Sequence, residues 1–92
     1  MIPIRVGAWE FDHVEYDAES DVLYLSMGEP RPSHGRETPE GHVLLFDQDT
    51  DEFCGLTLIS VAELMRLHGA LKITMPARSE HIAAADLELA LA

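Results

Sequence analysis

Two histidines and two glutamates fall within nine residues: His34, Glu37, Glu40 and His42. Imidazole and carboxylate groups at that density could hold a zinc or iron ion, or set a general acid beside a general base. His13 could complete such a set. Nothing in the spacing matches a helical pair of metal-binding histidines, and Cys54 is the only cysteine. The neighbouring Pro39 and Gly41 also account for a turn without any chemistry. These four side chains are the metal candidates of the sequence. No residue is assigned a catalytic role.

A second arrangement, Asp47-x-Asp49-x-Asp51, resembles the opening of a calcium loop. That loop requires glycine at its sixth position and a bidentate glutamate at its twelfth. Here those positions hold Glu52 and Leu58, so the three aspartates are expected to form a hairpin turn. The chain has no glycine-rich phosphate loop, no nucleophile elbow and no dinucleotide fingerprint, so no cofactor is implied. Cys54, between apolar neighbours, is expected to be a buried, inert thiol in a reducing compartment.

Charge narrows the partners. The 92 residues carry a net charge of −11. Residues 1–52 hold thirteen acids against Arg5, Arg31 and Arg36, a balance of −10, whereas residues 53–92 hold four acids against Arg66, Lys72 and Arg78, a balance of −1. Such a surface repels nucleic acid and anionic membranes, which bind through clustered Lys and Arg. It suits a basic protein partner. The chain contains no apolar run near the roughly 20 residues that span a bilayer, and its first residues lack the pattern of a secretion signal.

The elements that would carry these groups follow from periodicity. Residues 11–17 alternate as a half-buried strand and turn at Ala18-Glu19-Ser20 into residues 21–27, which are apolar on both faces. Residues 28–41, with three prolines and three glycines, predict a long loop with room for a short edge strand. Residues 42–47 and 52–59 form another antiparallel pair, with a bulge expected at Gly55. Ser60-Val61-Ala62-Glu63 reads as a capping box opening a helix, whose apolar face is Val61, Leu64, Met65 and His68 and whose stop is Gly69. Residues 71–75 suggest a last strand closed by Pro76. Residues 79–92 are either a helix beginning at Ser79 or Asp86, or a loosely docked tail. Trp9 and Phe11 are expected to pack the amino-terminal segment on the core.

The fold class is therefore α+β: a small antiparallel β-meander sheet packed by one short helix, in one domain with its core over about residues 11–76. Because the strands at 21–27 and 43–46 are apolar on both faces, one short helix cannot cover them. The carboxy-terminal segment or a second copy of the chain must cover the rest, and a homodimer through the sheet is expected.

The run from Val14 to Leu25 (Val-Glu-Tyr-Asp-Ala-Glu-Ser-Asp-Val-Leu-Tyr-Leu) resembles the opening of a family of small bacterial proteins, domain of unknown function 2283. Members carry Tyr-Asp, a short acidic spacer and Asp-x-Leu-Tyr followed by an aliphatic residue. Residues 42–60 are similar to the strand-turn-strand that follows. The resemblance covers about residues 13–60 and leaves out the loop 28–41 and both ends. It implies a bacterial cytoplasmic protein and transfers no activity to Tyr16, Asp17, Asp21 or Tyr24. Its pointer is to partner binding, of the antitoxin or regulatory kind. The function expected from the sequence is thus a non-enzymatic, homodimeric protein-binding module. The alternative is a small metal-binding protein or enzyme using Glu37, Glu40 and His42.

Overall fold

Strict alternation sets the central layer. In the computed structural model, which describes residues 3–76, 79–83, 87, 90 and 91, five antiparallel strands form one sheet: β3 (His13–Asp17), β4 (Val22–Ser26), β5 (Ser33–Glu37), β6 (Val43–Asp47) and β7 (Phe53–Ile59). Their order is β3-β4-β7-β6-β5. Strands β5, β6 and β7 run as a meander, and the β3–β4 hairpin joins on the β7 side. The edge strand β5 lies within the proline- and glycine-rich stretch. The bulge falls beside Gly55: Leu45 pairs with Gly55 and Phe46 with Phe53, leaving Cys54 without a partner in the ladder.

Because side chains alternate across a strand, one face of this sheet presents Leu23, Leu25, Leu44, Phe46, Leu56 and Leu58, all buried. Three smaller pieces cover that face. The first is a hairpin of β1 (Ile4–Val6) and β2 (Trp9–Phe11), which brings Ile4, Val6 and Phe11 into the core. Sequence periodicity over so few residues gave no sign of it, though Trp9 and Phe11 do pack as expected, edge-on to Phe53 with ring centroids 5.3 and 6.1 Å away. The second is α1 (Val61–His68), which buries Val61 and Met65. His68, expected on the buried helix face, is exposed. The third is a hairpin of β8 (Ala70–Thr74) and β9 (Ser79–Ala83), with Leu71, Ile73 and Ile82 in the core. A helix from Ser79 is thereby replaced by a strand, since Ile82 and Ile73 gain burial by pairing the segment along β8. The other proposed start, Asp86, lies outside the described residues. Leu87 is buried in the same core.

The helix is capped from outside its own sequence. Ser60 adopts a left-handed conformation and makes no side-chain cap bond, so the capping box does not form. Asp21, in the β3–β4 turn, takes its place: its carboxylate accepts the backbone N–H of Ala62 at 2.9 Å and of Glu63 at 3.2 Å, while its carbonyl accepts the N–H of Val61 at 3.3 Å. The Tyr16 hydroxyl donates to the same carboxylate at 2.8 Å. Burial pushes the Asp21 carboxyl up, but the bonds from Ala62, Tyr16 and Glu63 outweigh it and hold the group below the usual carboxylate range. At the far end Gly69, in the left-handed region, donates its N–H to the Met65 carbonyl.

Candidate functional site

The second face of the sheet has no covering layer among the described residues. The register places Val22, Tyr24 and Ser26 of β4 beside Ile59, Thr57 and Gly55 of β7, and these beside Val43 and Leu45 of β6. Tyr24 is 45% exposed and Ile59 37%, while Val22, Val43, Leu45 and Thr57 are half-buried. Two glycines keep the surface low. A Cβ on Gly55 would come within 2.9 Å of the Leu25 carbonyl and 3.1 Å of Leu45, and one on Gly35 would meet Val43 at 2.8 Å. Leu45 and Val43 therefore lie across the backbone of their neighbouring strands.

Charge frames this apolar centre asymmetrically. Glu15 and Asp17 of β3 stand on the same face at one edge, and Glu37 of β5 at the other. Asp47 faces the same way and pairs with Arg31 at 3.5 Å. No lysine or arginine occupies this face of the five strands. A small open hollow between His13, Glu15, Tyr24 and Ser26 marks the β3–β4 side.

The four histidines and glutamates picked from the sequence are not brought together. His34 and Glu37 sit on opposite faces of β5. His34 stacks on Phe46, with ring centroids 5.7 Å apart, and its Nε2 lies 2.8 Å from an oxygen of Asp51. Arg36 covers the same Phe46 ring at 4.9 Å. Glu37 ends the exposed strand. Glu40 turns the other way, accepting the Thr74 N–H at 2.9 Å and the Thr74 hydroxyl at 2.8 Å, which ties the β5–β6 turn to β8. Burial pushes its carboxyl up, but these bonds, with one from Thr38, hold it below the usual range. Among the described residues no three His, Cys, Asp or Glu side chains form a metal-holding group. His13, proposed to complete the set, lies at the opposite edge of the sheet, on β3.

His42 is a site residue of another kind. It is 2% exposed, and its Nδ1 accepts the Ile59 N–H at 3.1 Å. Its own N–H donates to the hydroxyl of buried Thr38 at 3.1 Å. Burial lowers the imidazole below its ordinary value, and the nearby Glu40 only partly opposes this, so the ring is neutral at pH 7. A neutral ring whose Nδ1 accepts must carry its proton on Nε2. Together with Glu40, His42 lines a small cavity of about 160 Å³ at the junction of β6, α1 and β8.

The aspartate triplet forms the hairpin turn expected of it. Asp47 accepts the N–H groups of Asp49 at 2.8 Å and Thr50 at 3.0 Å, which hold its carboxyl below the usual range. Cys54 is buried, and burial pushes its thiol up. No helix among the described residues is long and apolar enough to cross a membrane.

Comparison of the chain with models of known protein families, with curated proteins and with solved structures finds no match.

Proposed function

We propose that this protein is a non-enzymatic protein-binding module that takes a basic partner on the open face of its five-stranded sheet. The observation that carries the reading is the composition of that face. Tyr24 and Ile59 stand exposed among Val22, Val43 and Leu45, and among the described residues the formal charges on this face without an ion pair are the carboxylates of Glu15, Asp17 and Glu37. An apolar centre with a charged rim is the anatomy of a recognition surface, and an exposed tyrosine at its middle suits a binding anchor. A basic partner meets all three rim carboxylates with opposite charge, which speeds encounter and fixes orientation. A second copy of this chain would set acid against acid, so we assign the face to the basic partner rather than to a homodimer. The resemblance of residues 13–60 to domain of unknown function 2283, and with it a bacterial, cytoplasmic, antitoxin-like or regulatory role, belongs to this same proposal.

The test combines salt with a charge reversal on the face. The complex isolated from the protein's own source should contain a chain of positive net charge. Its dissociation constant should rise steeply with salt, because rim charges are screened over about 10 Å at 0.1 M. Hydrogen exchange should slow along β4, β7 and β6 when the partner binds, and Tyr24→Lys should abolish binding while leaving the fold intact. Salt-insensitive binding, or protection elsewhere, would refute the assignment. A stable dimer lost in Tyr24→Lys would give the face to a second copy instead.

A further inference from the structure

We propose that the cavity beside His42 is a binding site for a small aliphatic carboxylate. The cavity lies away from the open sheet face, so the inference is independent of the partner-binding reading.

Hydrogen-bonding capacity selects the ligand class. The Nε2 of His42 makes no hydrogen bond among the described residues. Yet no buried polar side-chain atom among the described residues lacks one. In a side chain only 2% exposed, that nitrogen must therefore be reached by solvent, and the proposed site assigns it to the wall of the cavity that His42 lines. The Ile59 N–H occupies Nδ1, so Nε2 presents a proton and acts as a fixed donor. Lys72 also lines the cavity, and its ammonium makes no ion pair or hydrogen bond among the described residues. The one carboxylate in the wall, Glu40, has its oxygens engaged by the Thr74 N–H, the Thr74 hydroxyl and the Thr38 hydroxyl. The His42 Nε2 and the Lys72 ammonium are therefore donors, and a ligand that accepts fits this pair, while the exposed His68 imidazole at the rim can donate or accept.

The remaining walls set its body and charge. Leu64, Leu71 and Ala70 supply apolar surface. The volume of about 160 Å³ is roughly five waters' share of the liquid, enough for a short aliphatic chain. An anion is favoured over a neutral acceptor because the Lys72 ammonium at the cavity has no ion-pair partner among the described residues, whereas the carboxylate in the wall, Glu40, is engaged by Thr74 and Thr38. Lys72 and His68 flank the cavity, whereas Arg66, on the same helix as His68, is paired with Glu63 at 2.7 Å. A buried neutral donor and an ammonium group together match a carboxylate.

The experiment is a titration of the whole protein with butyrate and, separately, with butyramide at matched ionic strength. It is followed by two-bond 1H–15N spectra of the histidine rings and by the Leu64 and Leu71 methyl signals. Butyrate should shift the His42 Nε2 resonance and both methyls saturably, with a dissociation constant on the order of 1 mM. Butyramide should bind at least about tenfold more weakly. His42→Gln should abolish the response. Should that variant fail to fold, Lys72→Met, an exposed position, decides: it should weaken butyrate about tenfold and leave butyramide unchanged. Equal binding of the two compounds, or unchanged butyrate binding in Lys72→Met, would overturn the carboxylate assignment. Butyrate that leaves the His42 ring unmoved would overturn the site.

Discussion

The Asp21 carboxylate accepts the backbone N–H of Ala62 at 2.9 Å, across 41 residues of chain. A turn in the sheet thereby performs the capping that Ser60 was placed to do. Removing the side chain in Asp21→Ala should destabilise the protein by about 1–2 kcal/mol, the usual loss for an N-cap. Ser60→Ala should change stability by less than about 0.5 kcal/mol, because its hydroxyl makes no cap bond. Ser60→Gly should stabilise by up to about 1 kcal/mol, since Ser60 sits at φ 55. Urea denaturation of the three variants checks the order.

Acid should weaken the fold in two separate steps. His42 has its imidazole lowered from 6.5 by burial, so the unfolded chain takes up a proton before the folded one does. The stability it contributes is complete above about pH 6.5 and declines as pH falls from there toward the lowered folded value. Asp21, Glu40 and Asp47 are also lowered, from 3.8, 4.5 and 3.8. Their contribution is present above those values and is lost only as pH falls further, through the folded ones. Urea midpoints from pH 8 to pH 3 should show both declines, and His42→Gln should remove the upper one alone.

Gly55 is required by what its backbone touches. A methyl group there would approach the Leu25 carbonyl at 2.9 Å, and backbone in the middle of a sheet yields little. Gly55→Ala should cost about 1–3 kcal/mol, within the range for overpacking. The matching change at Gly35, on the edge strand β5, crowds only a Val43 methyl rather than backbone and should cost less. Thermal melts of the two variants make the comparison.

The amino-terminal hairpin is part of the core rather than an addition to it. Phe11 is fully buried against Phe53 and within the central cluster. Phe11→Ala should destabilise by about 3–5 kcal/mol, the cost of removing a buried aromatic ring. A change near zero in calorimetry would show that β1 and β2 fold apart from the sheet.

The sequence displayed its longer strands plainly. Alternation at Val14, Tyr16, Leu23 and Leu25 and the apolar runs at 43–46 and 52–59 placed four of the five central strands, and Gly69 ended the helix as expected. What periodicity missed was short or distant. Three-residue strands such as β1 contain one alternation only. The segment at Ser79 is rich enough in alanine to suggest a helix, and its pairing with β8 overrides that preference. The capping of α1 could not be seen locally, because Ser60 and Glu63 satisfy the familiar spacing while the acceptor that wins comes from the β3–β4 turn. His34, Glu37, Glu40 and His42 were close in sequence for the ordinary reason that they surround a tight hairpin. Strand alternation sends His34 and Glu37 to opposite faces, and Thr74 engages Glu40. His42 was named from the sequence as a metal-ligand candidate, and the fold gives it a buried place just before β6 instead. Its burial and fixed tautomer depend on Ile59, which only the folded ladder brings near.

The external cap also sets an order of events for the chain as it folds. A helix of eight residues is far below the length that holds itself together in water. The first N–H groups of α1 find their acceptors only after the β3–β4 hairpin has closed and β7 has zipped alongside it. The helix is thus a late passenger on the sheet, with no stability of its own to lend. Its amides should exchange with solvent no more slowly than those of β4 and β7, and Asp21→Ala should release them while much of the sheet stays protected.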